Sequence, residues 1–525
     1  MKKIVVCDAI HEVGFDILAN QDGIEVVNAV KVPKNELGAV IADADVLITR
    51  SSTECDQAFV EQAKKLTALV RAGVGVDNVD IDFCSKKGIV VMNVPTANTI
   101  AAVEMTMCHL INSARKFVGA VNDLTQDKIW NREKWYGSEL FGKTLGVIGF
   151  GNIGSRVAVR AMAFGMKVVA YDPYIEAVKA TSTGATYTTN FDDILACDFI
   201  TIHTPKNKET TNMIDQPQID KMKDGVRLIN CARGGLYNED ALFANLKSGK
   251  IAYAGIDVFV KEPGNTSPLL DLPNLSATAH LGANTLESQE NIARQAVEAA
   301  IDAAKGICYP NALNLPIKTN ELPQEIAPFV ELVSKLGYFG AQILRKQIRG
   351  VTLEAEGEVS KFAESLLTFG LVGALKESMG ENINYVNARF VAGENGIELQ
   401  TATSHATNYT NKITLKLIAN DEIFSISGVA FGEGEQRIVG INEFKTDFKP
   451  KGKMIVFKNK DIPGVIAQIS SILAAQNINI ADFRLGRGKG GEALAVVLVD
   501  EEISQGVLEK LAQVEACLRV QYAEI

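Results

Sequence analysis

Three polar residues, Arg233 in NCARGG, Glu262 in DVFVKEP and His280 in AHLGA, follow apolar runs that read as successive β-strands. At the carboxyl edge of an open α/β sheet such positions face the crevice where ligands bind. Their types suit one reaction, removal of hydride from a secondary alcohol that carries a carboxylate. That step needs a base for the hydroxyl proton, and histidine, with an unperturbed pKa of about 6.5, titrates near neutral pH. A carboxylate beside the ring selects its tautomer and stabilises the imidazolium, which makes Glu262 the orienting partner of His280. Arginine stays charged and grips a carboxylate through two hydrogen bonds, which makes Arg233 the substrate clamp. The chain has only five histidines. His203 and His109 read as satisfied core residues, and His11 and His405 have no supporting context. The competing reading of Glu262 is a surface charge before Pro263.

A hydride needs an acceptor. Gly149-Phe150-Gly151-Asn152-Ile153-Gly154 fits G-x-G-x-x-G. That pattern is weak alone, because glycine is common. Here the strand TLGVI precedes it, the helix SRVAVRAMAFG follows, and a second strand, KVVAYD, ends on Asp172. In that setting the first glycine permits the tight turn, the second admits the pyrophosphate, and the third lets helix and strand pack closely. The helix N-terminus offers free N–H groups to the phosphates. Asp172 can accept hydrogen bonds from both adenosine ribose hydroxyls and repels a 2′-phosphate, so NAD is favoured over NADP.

The elements that must position these groups are legible as a chain of α/β units. In the first hundred residues KKIVVCD, IEVVNAV, ADVLITR, LTALVRAG and IVVMNVP are short apolar runs spaced by helical segments, the pattern of a parallel sheet with crossover helices. A single long helix is predicted from about Ile100 to Leu124. The second unit runs from KTLGVIGFGNIG through LSATAHLGA. One helix from Leu286 to Lys305 then suggests a return to the first lobe, so the nucleotide lobe is inserted in the N-terminal one. Asn311–Pro316 has linker character. Residues 317–448 mix two helical stretches with β-rich segments and carry no concentrated catalytic signature. Residues 452–525 follow a strand, helix, strand, strand, helix, strand order, which is ferredoxin-like.

Composition sets bounds. A chain of 525 residues needs several cores. A hydrophobic fraction of 47% and a charged fraction of 22% are those of a globular protein. A formal charge of −10 argues against a nucleic acid or an acidic membrane as partner. Asp8 interrupts the first apolar run too early for a secretion signal, and no stretch is long enough to span a bilayer. Eight scattered cysteines without a C-x-x-C suit reduced thiols in the cytoplasm, with neither a disulfide framework nor a metal site.

GFGNIG, NCARGG, DVFVKEP and AHLGA, in this order and spacing, resemble the D-isomer-specific 2-hydroxyacid dehydrogenases over roughly residues 1–313. The resemblance implies two Rossmann-like lobes with the site between them: a substrate lobe of 1–98 and 284–313, and an NAD lobe of 99–283. It adds Asn152, Ile153, Thr204, Cys231, Asp257 and Gly282 as cofactor contacts, with Cys231 serving through its backbone. DIPGVIAQISSILAAQNINI in the last module looks like an ACT domain, the usual amino-acid-sensing unit. With the intervening segment it places the chain near the long, ACT-bearing branch of the family. That likeness implies oxidation of 3-phosphoglycerate with NAD, entry into serine biosynthesis, a homotetramer and feedback by serine. Arg50 in ITRSST and Arg71 in RAGVGVDN match substrate-contacting positions, and Arg132 in WNREKW is the candidate phosphate contact from a neighbouring subunit, with a surface charge as the alternative. Val74 stands where some relatives have threonine, so a hydroxyl contact near the nicotinamide is lost. Asp461 and Asn479 match effector positions, while Asn459 replaces a tyrosine of some relatives, and the alternative is an ACT-like fold that only mediates assembly. Two rivals stand beside this reading. One is a glyoxylate or hydroxypyruvate reductase, which needs neither a phosphate pocket nor an ACT module. The other is an NAD-sensing co-repressor, which would lack the ACT tail.

Overall fold

A computed structural model describes residues 1–317, 322–406, 408–432 and 434–525. Residues 318–321, near the start of the expected third unit, lie outside the described residues. The first sheet is parallel, in the order Ile24–Asn28, Lys2–Val6, Val46–Thr49, Ala68–Arg71, Val90–Asn93. Val46–Thr49 and Val90–Asn93 are buried at every position. Continuous apolar runs of this kind, rather than alternating ones, are what a sheet covered on both faces requires.

The second sheet has seven parallel strands. From one edge they run Leu275–Ala277, Ile251–Ile256, Val226–Asn230, Phe199–Ile202, Thr144–Ile148, Lys167–Tyr171 and Thr186–Thr188. The order reverses between Thr144–Ile148 and Phe199–Ile202, and that switch point opens the crevice in which a doubly wound sheet binds its ligand.

Two helices cross between the lobes. Helix Thr99–Arg115 packs on the second sheet, against Ile251–Ile256 and Val226–Asn230. It does not continue to Leu124. Lys116 adopts φ 53°, and a separate helix, Phe117–Thr125, follows. Asn112 secures the break by accepting the N–H of Val118 at 3.0 Å. Helix Leu286–Lys305 returns to the first sheet and buries Ile292, Ala296, Val297 and Ala300 against it. Asn311–Pro316 is more than a linker. Asn314 accepts Val91 N–H at 2.9 Å and donates to Ser85 Oγ and Ile89 O, so this segment seals the sheet edge.

The C-terminal half contains a six-stranded mixed sheet, in which only Gly350–Gly357 and Glu398–Ser404 pair in parallel. Helices Ala327–Leu344 and Ala363–Met379 pack against it. The last module is an antiparallel sheet in the order Ile480–Arg487, Glu492–Val499, Lys453–Lys460, Cys517–Glu524, with helices Val465–Ala474 and Gln505–Ala512. The centre of its other face is covered: Met454, Val456, Leu494, Val496 and Ala523 join Phe339 and Ile343 in one core. Phe339 is fully buried there, 6.2 Å from the Phe448 ring. Phe339→Ala is expected to cost about 3–5 kcal/mol, read as a lower urea midpoint for unfolding of this half.

Candidate functional site

The glycine loop leaves the central strand Thr144–Ile148 at the switch point. Gly149 has φ 83°, and Gly154 opens helix Gly154–Ala163 so close to the loop that a Cβ would sit 2.0 Å from Gly149 O. A Cβ at Gly151 would meet nothing within 4 Å, so that side of the loop is open to a ligand. Asn152 and Ile153 lead into the helix. Asp172 is tied to the loop: Oδ2 accepts the N–H of Phe150 at 2.8 Å and Oδ1 that of Tyr174 at 3.0 Å. Each oxygen keeps a free lone pair. Across the switch point Thr204 Oγ1 is buried without a hydrogen-bond partner. A polar atom left in that state asks for a ligand or water. Open space, a bare helix start, a placed carboxylate and an orphaned hydroxyl together fit a dinucleotide. Cys231 is buried, and burial pushes its thiol well above the usual range, which removes it as a nucleophile.

The strand Ile251–Ile256 ends in Asp257, which is fully buried. Its carboxylate accepts Thr278 Oγ1 at 2.5 Å, Leu281 N–H at 2.7 Å and Gly282 N–H at 2.7 Å. Its carbonyl accepts His280 N–H at 2.9 Å. This grip holds His280 at φ 54°, a region that non-glycine residues seldom occupy. His280 Nδ1 lies 2.8 Å from Glu262 Oε2, and Glu262 Oε1 accepts Phe259 N–H at 3.2 Å. With Nδ1 engaged as the donor, Nε2 is free to accept a proton. The Arg233 turn packs on the same segment, since a Cβ at Gly234 would fall 1.8 Å from Phe259 O.

Arg233 reaches the other lobe. Its Nε donates to Asp77 at 3.0 Å, and its guanidinium covers Gly75, where a Cβ would lie 2.2 Å from Nη2. Arg71 covers Gly73 in the same loop. Its Nε is buried with no partner, and burial, reinforced by Arg233 and Arg50, pushes its pKa down to about 10. Arg50 is likewise pushed down by burial. Its backbone is held by Asp8, which accepts Arg50 N–H at 2.6 Å and the Thr53 hydroxyl at 2.8 Å. Three cations are therefore gathered and partly desolvated, an arrangement that an anion would relieve. Val74, in the loop between Arg71 and Asp77, has its carbonyl taken by Asn93 Nδ2 at 2.7 Å.

Other expected residues are not brought together. Arg132 is exposed beside helix Phe117–Thr125, among the exposed side chains of Ile129, Trp130 and Tyr136. In the last module Asn459 and Asp461 line one cavity of about 590 Å³, and Asn459 Oδ1 is buried without a partner. Asn479 sits at the far end of strand Ile480–Arg487, donating to Asp500 at 2.7 Å, while Arg487 pairs with Asp461. His203 is half-buried, bonded to Thr201 and pushed down to about 3 by desolvation. His11 accepts Val13 N–H and caps helix Glu12–Ala19. Asp8 and Asp77 were missed as site residues. Asp8 had a usable signal, an acidic side chain directly after an apolar strand at the catalytic edge. Among the described residues no helix is long and apolar enough to cross a membrane.

Residues 107–282 match the D-isomer specific 2-hydroxyacid dehydrogenase NAD binding domain, 325–442 the D-3-phosphoglycerate dehydrogenase intervening domain, and 453–516 the ACT domain. A D-3-phosphoglycerate dehydrogenase of Bacillus subtilis is 37% identical over the whole of both chains. One of Archaeoglobus fulgidus is 36% identical over the same extent. The chain belongs to the D-3-phosphoglycerate dehydrogenase family. Among solved structures, a D-lactate dehydrogenase from Aquifex aeolicus complexed with NAD and lactic acid is 29% identical, with a TM-score of 0.52 over 58% of this chain and 96% of that one. Family and fold together make the protein an NAD-dependent dehydrogenase of 2-hydroxy acids. Gly154→Ala would drive a Cβ into Gly149 O. NADH affinity, followed by fluorescence, is expected to fall by at least about tenfold, with the circular dichroism spectrum unchanged.

Proposed function

We propose that the protein oxidises 3-phospho-D-glycerate to 3-phosphohydroxypyruvate with NAD, the first step of L-serine biosynthesis from that acid, in the cytoplasm and as a homotetramer. The observation that carries the substrate is the Arg50, Arg71 and Arg233 cluster, with its unpartnered Arg71 Nε. A singly charged glyoxylate or lactate needs one such cation. A substrate with a carboxylate and a phosphate uses several. Relatives named D-3-phosphoglycerate dehydrogenase support the same choice.

NAD, when bound, supplies the hydride acceptor. Gly149, Gly151, Asn152, Ile153 and Gly154 cradle its pyrophosphate, Asp172 takes the adenosine ribose, and Thr204, Cys231, Asp257 and Gly282 line the nicotinamide end. The chain does the rest. Arg233 clamps the carboxylate, and Arg50 and Arg71 hold the substrate from the first lobe. Glu262 keeps the Nδ1 proton of His280 in place, so bare Nε2 receives the hydroxyl proton as the hydride leaves C2. Glu262 then stabilises the imidazolium that forms. Arg132, exposed in one chain, is assigned to the phosphate of a neighbouring subunit's substrate. A second chain would likewise bring an Asn479 toward the cavity lined by Asn459 and Asp461, giving serine a site between subunits.

His280→Ala is expected to lower kcat by about 10²–10⁴-fold, measured as NADH formation, and full activity would overturn the mechanism. Arg71→Ala should lower kcat/KM for 3-phosphoglycerate by roughly 10–150-fold, the worth of a charged hydrogen bond, and should affect D-glycerate much less. Equal turnover of D-glycerate and its phosphate by the unaltered protein would favour the reductase reading. Millimolar serine is expected to lower the rate or raise Tm, and indifference in both would remove the sensing role.

A further inference from the structure

Helix Thr99–Arg115 buries His109 against the strand that leads to His280. Both ring nitrogens are engaged. Nδ1 is 2.9 Å from Ser276 Oγ and Nε2 is 3.0 Å from Thr278 Oγ1. The Thr278 hydroxyl also meets Asp257 Oδ1, the oxygen that accepts Leu281 N–H.

Counting protons fixes the direction of these bonds. A threonine hydroxyl has one hydrogen, and a carboxylate only accepts. The Thr278 proton therefore goes to Asp257, so His109 Nε2 must carry a hydrogen and donate it to Thr278. Nδ1 is then bare and takes the hydrogen of Ser276. The Tyr253 hydroxyl nearby accepts Asn112 Nδ2–H at 3.2 Å. Donation runs one way, from Ser276 through His109 and Thr278 to Asp257. A charged His109 would hold a second hydrogen and reverse the Ser276 bond. Burial pushes the ring's pKa down, which favours the neutral form. A histidine that merely filled the core would need no such ordered set of partners.

We propose that His109 is a positioning residue: as a neutral ring protonated on Nε2, it fixes the Asp257 carboxylate through Thr278, and with it the turn that presents His280 and Gly282. The inference rests on the reading of His280 as the acid/base. Asp257 has about four acceptor sites, three of them filled from within the chain, and the relay decides where the fourth points. Small displacements at such a site cost rate rather than fold.

The test compares kcat, KM for 3-phosphoglycerate and NADH affinity in the full-length protein and in His109→Leu, His109→Gln, Thr278→Val, the His109→Leu/Thr278→Val double variant and His280→Ala. His109→Leu and Thr278→Val are each expected to lower kcat by roughly 10–100-fold, with KM within about twofold. The double variant should fall no further, because both break one chain of bonds. His109→Gln, whose amide can still donate to Thr278, should recover most of kcat. Nitrogen-15 spectra at neutral pH should show His109 neutral and protonated on Nε2, a readout independent of whether the Leu variant folds. Unchanged kcat in His109→Leu beside an inactive His280→Ala would overturn this inference alone. An Nδ1–H tautomer or an imidazolium would overturn it as well. Full activity of His280→Ala would instead bring down the mechanism on which it rests.

Discussion

A carboxylate with no solvent exposure persists in a protein interior only when its acceptors are filled. Asp257 fills three of its about four acceptor sites from the loop above it. Thr278, Leu281 and Gly282 donate to its side chain and His280 to its carbonyl. The left-handed conformation of His280 follows from this grip. Each bond is charge-assisted or buried, and together they outweigh a backbone strain of about 1–3 kcal/mol. Once the turn is set, the ring points toward Glu262, and the Phe259–Glu262 segment supports both that carboxylate and the Arg233 turn. The proposed acid/base, its orienting partner and the clamp are thus consequences of one buried charge at one strand end.

The first lobe answers with the opposite sign. Arg233 and Arg50 both repel Arg71, and burial raises the cost of keeping Arg50 and Arg71 charged. The cluster is held by Asp8, Asp77 and the glycine loop at 73–75. Arg233 belongs to one lobe and Asp77 to the other, so the cleft is already bridged by an ion pair on a partly exposed path. Exposed pairs are worth about 0–1 kcal/mol. Such a bridge orients the lobes without locking them, which leaves a bound anion free to take over Arg233.

Much of this was legible in the sequence, and the reason is periodicity. Every strand of the first sheet, and all but one of the second, carries a short apolar run, and the central strands Val46–Thr49, Val90–Asn93 and Phe199–Ile202 are buried throughout. The exception, Thr186–Thr188, is three polar or amphipathic residues at an edge, with nothing to distinguish it from a loop. The glycine loop was legible because each glycine answers a steric demand at fixed spacing. The break at Lys116 was not, because the residue in the left-handed conformation is a lysine and the cap comes from Asn112, four residues earlier. Asp8, Thr278 and His109 act through other residues. Their roles depend on contacts between positions up to 169 residues apart, which no local pattern carries.

The C-terminal half adds a mechanical argument. The last module and the intervening sheet share one core through Met454, Val456, Leu494, Val496 and Ala523, and Arg519 donates to the carbonyls of Ile343 and Leu344 at the end of a helix of the intervening unit. They are therefore packed as one body. That body is seated on the first lobe, where Val386 enters the core and Asn384 donates to Gly88 O, just before the strand Val90–Asn93. Asn93 ends that strand and holds the carbonyl of Val74 in the loop that lies between the arginines. A ligand that shifted the last module would thus act first on the lobe that carries Arg50 and Arg71, and on the closure of the cleft. The glycine loop and Asp172 lie on the other lobe, so such an effector would bear on substrate capture more directly than on NAD affinity.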